Sequence, residues 1–261
     1  MRPETAAAIE AVRQALAMSS AGPAIVTIAH KGGRDVVTSV DRSVEVLVRE
    51  SIREELDQPV VGEELGGHPS SDGSPYWLVD PICGTRNFAS GIPLHCVNLA
   101  LVERGAVQVA VVGDSSTREV LFAERGEGTW RLRGESPVSR LSVSSDSRTL
   151  VVEDGRARLA RREQCAQFMA AVVRADRWDF RSFGSTVTLP YVASGRVSAY
   201  VVFYVPALHA AAGSLLVSEA GGVVTDIDGQ RWTLDSDSLL AAASEHLHAD
   251  LATLARRTVI A

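Results

Sequence analysis

Apolar residues recur at helical spacing near the start of the chain. Ile9, Val12, Leu16 and Ala17 predict an amphipathic helix over residues 5–18, ended by Ser19, Ser20 and Gly22. Residues 25–28 read as a short strand, 30–34 as a polar turn, and 35–41 as a lead into a second helix. Its apolar stripe is Val44, Leu47, Val48, Ile52 and Leu56, and its other faces carry Glu45, Arg49, Glu50 and Arg53. Residues 60–64 form a short strand ending in the acid pair Glu63-Glu64, and 66–75 a loop rich in Gly, Ser, Pro and Asp. Tyr76 opens a further strand that is expected to break at Pro81 and Gly84, which lifts side chains off a sheet edge into a cleft.

Residues 96–102 and 107–112 flank Arg104-Gly105, a hairpin signal, and strands follow at 119–124 and 128–133. This predicts helices packed on a largely antiparallel sheet. A polar, serine-rich stretch over 136–147 is the best boundary. It separates an N-terminal α+β half, 1–145, holding most of the acidic site, from a C-terminal α/β half, 146–261, completing the cleft. The second half alternates: a strand at 149–153, a helix at 157–172, a polar link through Trp178 and Phe180, and a helix opened by Gly184-Ser185 and closed by Gly195. Then come a buried strand at 199–205, a helix at 208–220 ended by Gly221-Gly222, a strand at 239–243 and a helix at 246–257.

Composition narrows the classes. With 261 residues the chain buries a substantial core as one large domain or two packed halves. Its 26 basic and 32 acidic residues give a net charge of −6, against a broad nucleic-acid face. Three cysteines, Cys83, Cys96 and Cys165, with no CxxC spacing argue against a disulfide framework or a closed zinc knuckle and point to a reducing cytoplasm. No basic leader with an apolar run opens the chain and no stretch of about 18 apolar residues occurs, so neither export nor a membrane partner is expected.

The chemistry is expected where the strand from Tyr76 breaks. Asp80 offers a carboxylate, Pro81 aims the Ile82 carbonyl, and Gly84 lets backbone N–H groups approach an anion. Other polar residues have a bland and a chemical reading. Asp41 is a helix N-cap or a site carboxylate. The pair Glu63-Glu64 is a solvated edge or a cation ligand. His95 reads as a packing residue, Cys83 as a small apolar one or a reactive one, and His209 as a helix-start cap or a site residue.

At these residues the chain resembles the inositol monophosphatase-like phosphatases, whose signature is Asp-Pro-x-Asp-Gly-Thr-x-Asn-Phe. Asp80, Pro81, Gly84, Thr85, Asn87 and Phe88 match it, with Cys83 at the second aspartate. The family's Asp-x-Val-Thr-x-x-Asp falls on Asp35, Val37, Thr38 and Asp41, and its Gly-Glu-Glu on Gly62, Glu63 and Glu64. Its Trp-Asp-x-Ala-Ala-Gly meets residues 208–213, with His209 at the aspartate, followed by Glu219-Ala220-Gly221-Gly222. The resemblance implies a layered αβαβα sandwich, a homodimer, and magnesium-dependent hydrolysis of phosphate monoesters on small molecules. It places one magnesium at Glu64, Asp80 and the Ile82 carbonyl, water under Asp41 and Thr85, and substrate against Gly84 and Thr85. Where inositol-cleaving members carry an acid after their Ala-Tyr pair, this chain has Val202, with Tyr204 nearby.

Both departures, Cys83 and His209, fall on the family's second cation, so magnesium is not expected there. That site is then empty or takes zinc with Asp80, Cys83 and His209 as ligands. Alternatively Cys83 meets His209 directly, as a nucleophilic thiolate or an acid–base pair. The preferred expectation is a repurposed enzyme of a specialised pathway performing cyclisation, elimination or isomerisation on a small metabolite. Phosphomonoester hydrolysis and an inactive binding protein are the alternatives.

Overall fold

Two sheets of unequal width lie between three layers of helices, in a computed structural model that describes residues 1–21, 27–32, 35–69, 73–155 and 157–258. The first layer is α1 (Pro3–Ala21), then the hairpin β1 (Ile28–Gly32) and β2 (Asp35–Thr38), then α2 (Ser39–Leu56). A seven-stranded sheet follows. It is formed by β3 (Val60–Gly62), β4 (Tyr76–Cys83), a short helix α3 (Thr85–Ala89) outside the sheet, β5 (Cys96–Glu103), β6 (Ala106–Asp114), β7 (Glu119–Glu124), β8 (Gly128–Arg133) and β9 (Ser139–Leu141). These strands lie side by side in chain order, and every neighbouring pair except the parallel β3–β4 is antiparallel.

The rest of the chain is β10 (Thr149–Glu153), α4 (Leu159–Ala175), β11 (Asp179–Arg181), α5 (Thr188–Ala193), β12 (Ala199–Val202), α6 (Ala207–Glu219), β13 (Val223–Thr225), β14 (Leu239–Ala242) and α7 (Glu245–Arg257). Its five strands run in the order β11-β10-β12-β14-β13, parallel within β11-β10-β12 and antiparallel beyond. Among the described residues no helix is long and apolar enough to cross a membrane.

Strand alternation builds the layers, because successive side chains leave opposite faces of a sheet. Trp77, Val79, Leu99, Leu101, Val109 and Val111 face α1 and α2, whereas Leu78, Ala100, Val102, Ala110 and Val112 face α6. In the second sheet Val151, Tyr200 and Leu239 join that central layer, while Leu150, Val201 and Leu240 pack against Phe168 of α4 and Leu251 of α7. Sheets apolar on both faces must be covered on both, and the αβαβα sandwich follows.

Several local expectations change. The strand at Tyr76 does not break at Pro81 but runs to Cys83, because β3 pairs only with Trp77–Val79. Pro81 lies past the end of that ladder, and a bulge between Asp80 and Cys83 interrupts the ladder to β5, so its missing N–H breaks no regular pairing. The polar link through Phe180 contains β11, and the serine-rich boundary contains β9. Of the strand expected at 25–28, residues 25 and 26 lie outside the described residues, and Ile28 opens β1.

Candidate active site

The bulged end of β4 delivers Asp80, Ile82 and Cys83 together, and Gly84 turns the chain into α3 with φ 104°. A Cβ at Gly84 would sit 2.9 Å from the Leu94 carbonyl oxygen and 3.0 Å from Ser185 Cβ, so both conformation and space require glycine.

Thr38, not Asp41, caps α2. Its hydroxyl accepts from the Val40 and Asp41 N–H groups, and Asp41 closes a capping box by accepting from the Thr38 N–H at 2.9 Å. The other Asp41 oxygen lies 3.1 Å from Thr85 Oγ1, which is also 3.0 Å from the Ile82 carbonyl oxygen. Asp41 is thus fully buried behind Thr85, and burial pushes its carboxyl up although the Thr38 and Thr85 hydrogen bonds oppose this. Asp41 thus completes the capping box with one oxygen and meets the Thr85 hydroxyl with the other.

A buried carboxylate that the sequence placed on an outer helix face sets the acid pair. Glu45 accepts from the Glu64 N–H at 2.6 Å, the Leu65 N–H at 3.1 Å and Arg49 Nε at 2.9 Å. Gly62 is the trace it leaves in the sequence, since a Cβ there would meet Glu45 Oε1 at 2.0 Å. The turn held this way points Glu63 into the cleft, and Glu64 is not among the lining residues. Of the acid pair, Glu63 rather than the expected Glu64 is therefore the one whose side chain borders the cleft.

The cleft holds roughly 450 Å³ between the two sheets, bounded on one side by Glu63, Ile82, Cys83, Gly84, Thr85 and His209. Its other wall carries Val202 and Tyr204, both expected there, and also Glu153, which the sequence reading left as a strand residue. Glu153 is the register partner of Val202, so an acid absent from residues 201–205 reaches this wall from the neighbouring strand. Its carboxylate accepts from the Phe183 and Gly184 N–H groups at 2.6 and 2.7 Å and from Ser182 Oγ at 3.0 Å. Burial pushes the carboxyl up against those bonds.

His209 stands in the first turn of α6 and sends Nδ1 to Asp80 Oδ2 at 2.5 Å. Burial and the positive end of the helix both disfavour an imidazolium, but the Asp80 carboxylate outweighs them and raises the His209 pKa well above its ordinary value. Asp80 itself is fully buried, and its Oδ1 has no hydrogen-bond partner among the described residues.

Cys83 faces both His209 and Thr186. Its sulfur lies 2.8 Å from Thr186 Oγ1 and accepts the Thr186 N–H at 3.4 Å. Neighbouring Cys96 and burial push its thiol well up. The expected contact between Cys83 and His209 is present beside the Asp80–His209 pair, and its pull on the thiol is outweighed by Cys96 and burial, which argues against a low-pKa thiolate. Sulfur, imidazole and carboxylate stay within 4.8 Å of one another.

Among the described residues one group of side chains could share a cation, Asp80, Cys83 and His209. Asp80 Oδ1 is buried with no hydrogen-bond partner among the described residues, and Glu63 and Ile82 add oxygens at the cleft wall, donors of the kind that a hard divalent cation takes. The set Asp80, Cys83 and His209 does not fit magnesium. It suits zinc only if Cys83 loses its proton, which Cys96 and burial oppose. His95, expected as packing, is buried edge-on against Phe88 with ring centroids 5.1 Å apart.

Comparison with known proteins places this geometry. The sequence profile described as the inositol monophosphatase family matches residues 1–259. The Nus factor SuhB of Salmonella typhimurium is 31% identical, covering 97% of this chain and 96% of its own. A histidinol-phosphatase of Chlorobaculum parvum is 32% identical over 93% of each chain. Among solved structures, an IMPase of Thermotoga maritima superposes with a TM-score of 0.83 at 28% identity, covering 96% of each chain. The extragenic suppressor protein suhB of Bartonella henselae gives 0.84 at 26% identity, over 97% of this chain and 96% of its own. With the fold, the signature and these relatives in agreement, the chain belongs to the inositol monophosphatase family.

Proposed function

We propose that the chain is a hydrolase of small phosphorylated metabolites in which the His209 imidazolium takes the place of the second cation. The observation that carries this is the 2.5 Å contact between His209 Nδ1 and Asp80 Oδ2. An aspartate at residue 209 would face Asp80 with like charge and require a cation between them. The imidazole supplies the countercharge from the chain itself and, with its pKa raised, holds a proton at neutral pH. From the cleft wall it is placed to protonate a departing oxygen as a general acid.

The attacking side keeps its parts. Asp41 orients the Thr85 hydroxyl, and together they position a water. Glu63, Asp80 Oδ1 and the Ile82 carbonyl would hold one magnesium, which when bound supplies Lewis-acid stabilisation of phosphate charge. The backbone at Gly84 approaches the phosphate without a Cβ in the way. Relatives of this family, among them a histidinol-phosphatase, support a phosphate monoester as substrate.

A second reading has one observation in its favour. Val202 and Tyr204 give the far wall a partly apolar surface that suits a less polar ligand. There the same acid step at His209 would serve a cyclisation, elimination or isomerisation. Phosphate release from a panel of sugar, polyol, nucleoside and amino-alcohol monophosphates with magnesium tests the first reading. Release that disappears in His209→Ala and declines toward alkaline pH is expected. Silence across the panel overturns hydrolysis. Release that is unchanged in His209→Ala overturns the role given to the imidazole.

A further inference from the structure

Cys83 and Cys96 are register partners across the antiparallel ladder of β4 and β5, a pairing that their separation along the chain conceals. Directly opposed residues in such a ladder have Cα atoms about 4.5–5.5 Å apart, inside the roughly 4.4–6.8 Å span that a disulfide bridges. Both sulfurs also converge on one group. Thr186 Oγ1 lies 2.8 Å from Cys83 Sγ and 3.9 Å from Cys96 Sγ. Both cysteines are free, and Cys83 forms part of the cleft wall while Cys96 is wholly buried behind it. Cys165 belongs to the outer layer with Phe168 and Leu251 and has no such partner.

We propose that Cys83 and Cys96 form a reversible disulfide when a small peroxide enters the cleft. In the small fraction of molecules in which Cys83 has lost its proton, its sulfur attacks one peroxide oxygen, the O–O bond breaks, and Cys83 becomes a sulfenic acid as water or alcohol leaves, so the oxidation is slow at neutral pH. The Cys96 sulfur then displaces that oxygen as water. One S–S bond forms, both thiol protons are lost, and the two electrons reside on the reduced peroxide. The step is confined to this pair because the first sulfur is reached from the cleft and the second stands opposite it. Oxidation commits the Cys83 sulfur to β5, away from the Thr186 hydroxyl and from the Asp80–His209 pair.

Trypsin separates the two cysteines at Arg86, which leaves them in peptides 54–86 and 87–104, with Cys165 in 163–174. The folded full chain is treated with hydrogen peroxide, capped with iodoacetamide and digested without reductant. The expected result is one joined species of peptides 54–86 and 87–104, separated again by dithiothreitol. In Cys96→Ser the joined species is absent, and Cys83 accumulates as sulfinic acid. Circular dichroism during treatment verifies that the chain stays folded. The proposal is overturned if the two peptides remain separate while Cys83 goes on to sulfinic acid, if the joined species includes peptide 163–174, or if it appears only in urea.

Discussion

Replacing His209 with alanine in the metal-free protein isolates the energetics of the Asp80–His209 pair. Asp80 is without solvent exposure, its Oδ2 is held by His209 Nδ1 at 2.5 Å, and its Oδ1 has no partner among the described residues. Truncation therefore strands a buried carboxylate. Removing one member of a buried ion pair costs about 3 kcal/mol or more. With a urea dependence of about 3 kcal/mol per molar for a chain of this size, the unfolding midpoint falls by about 1 M. The pH dependence has a definite sign. The folded-state pKa of His209 lies above its unfolded value of 6.5, so the pair's stabilisation is complete below 6.5 and fades as pH rises through the folded value. The difference between the parent and His209→Ala is therefore largest near pH 6 and shrinks on the alkaline side. Magnesium at 100 times its dissociation constant returns about 2.7 kcal/mol to the variant. A midpoint change worth less than about 0.5 kcal/mol, the size of an ordinary surface substitution, would falsify the ion-pair account. So would a deficit that grows with pH.

The raised Cys83 thiol predicts slow alkylation by iodoacetamide at neutral pH, with a rate still rising above pH 9.0; rapid labelling at pH 7 contradicts the burial argument. Gly84→Ala combines φ 104° with a 2.9 Å approach to a backbone oxygen, so it should lower stability by about 2–3 kcal/mol in calorimetry, and an unchanged melting temperature refutes the fit. Magnesium should raise the melting temperature of the parent and of Glu64→Gln but not of Glu63→Gln, and the reverse order returns the ligand position to Glu64.

The fold was legible wherever apolar periodicity ran longer than a few residues. Strands such as β5 and β6, buried on both faces, and the stripe of α2 announce themselves in this way. The three-residue strands β9, β11 and β13 did not, because three residues cannot display a period. They are strands only because a neighbouring strand completes their hydrogen bonds. The signature and its departures singled out Asp80, Thr85 and His209, and the fold brings His209 to Asp80 and Thr85 to Asp41. Glu45, buried, and Glu153, half-buried, were missed because each carboxylate is satisfied by backbone N–H groups distant in sequence, and no one-dimensional spacing shows such a partner. Glu63 and Glu64 differ only in which way one turn points, and that is fixed by Glu45.

The two departures are best understood as one electrostatic change. The family signature places carboxylates at the positions of Asp80, Cys83 and His209, a local charge of −3 that only bound cations can neutralise. In this chain the same three positions carry one carboxylate, one thiol held in its neutral form and one imidazolium. With the thiol and the imidazole both pushed well up, most of the signature's negative charge is gone from the cluster. A cluster that has shed most of its negative charge needs no metal for stability, and under the proposed function the second position is expected not to recruit one. Asp80 Oδ1 still has a reason to recruit a cation, because it is buried with no donor among the described residues. Cation dependence should therefore be hyperbolic in magnesium, with one ion saturating both stability and turnover. Titrating magnesium while following both quantities decides the matter, since two cooperative ions would show that the imidazolium had given way to a metal.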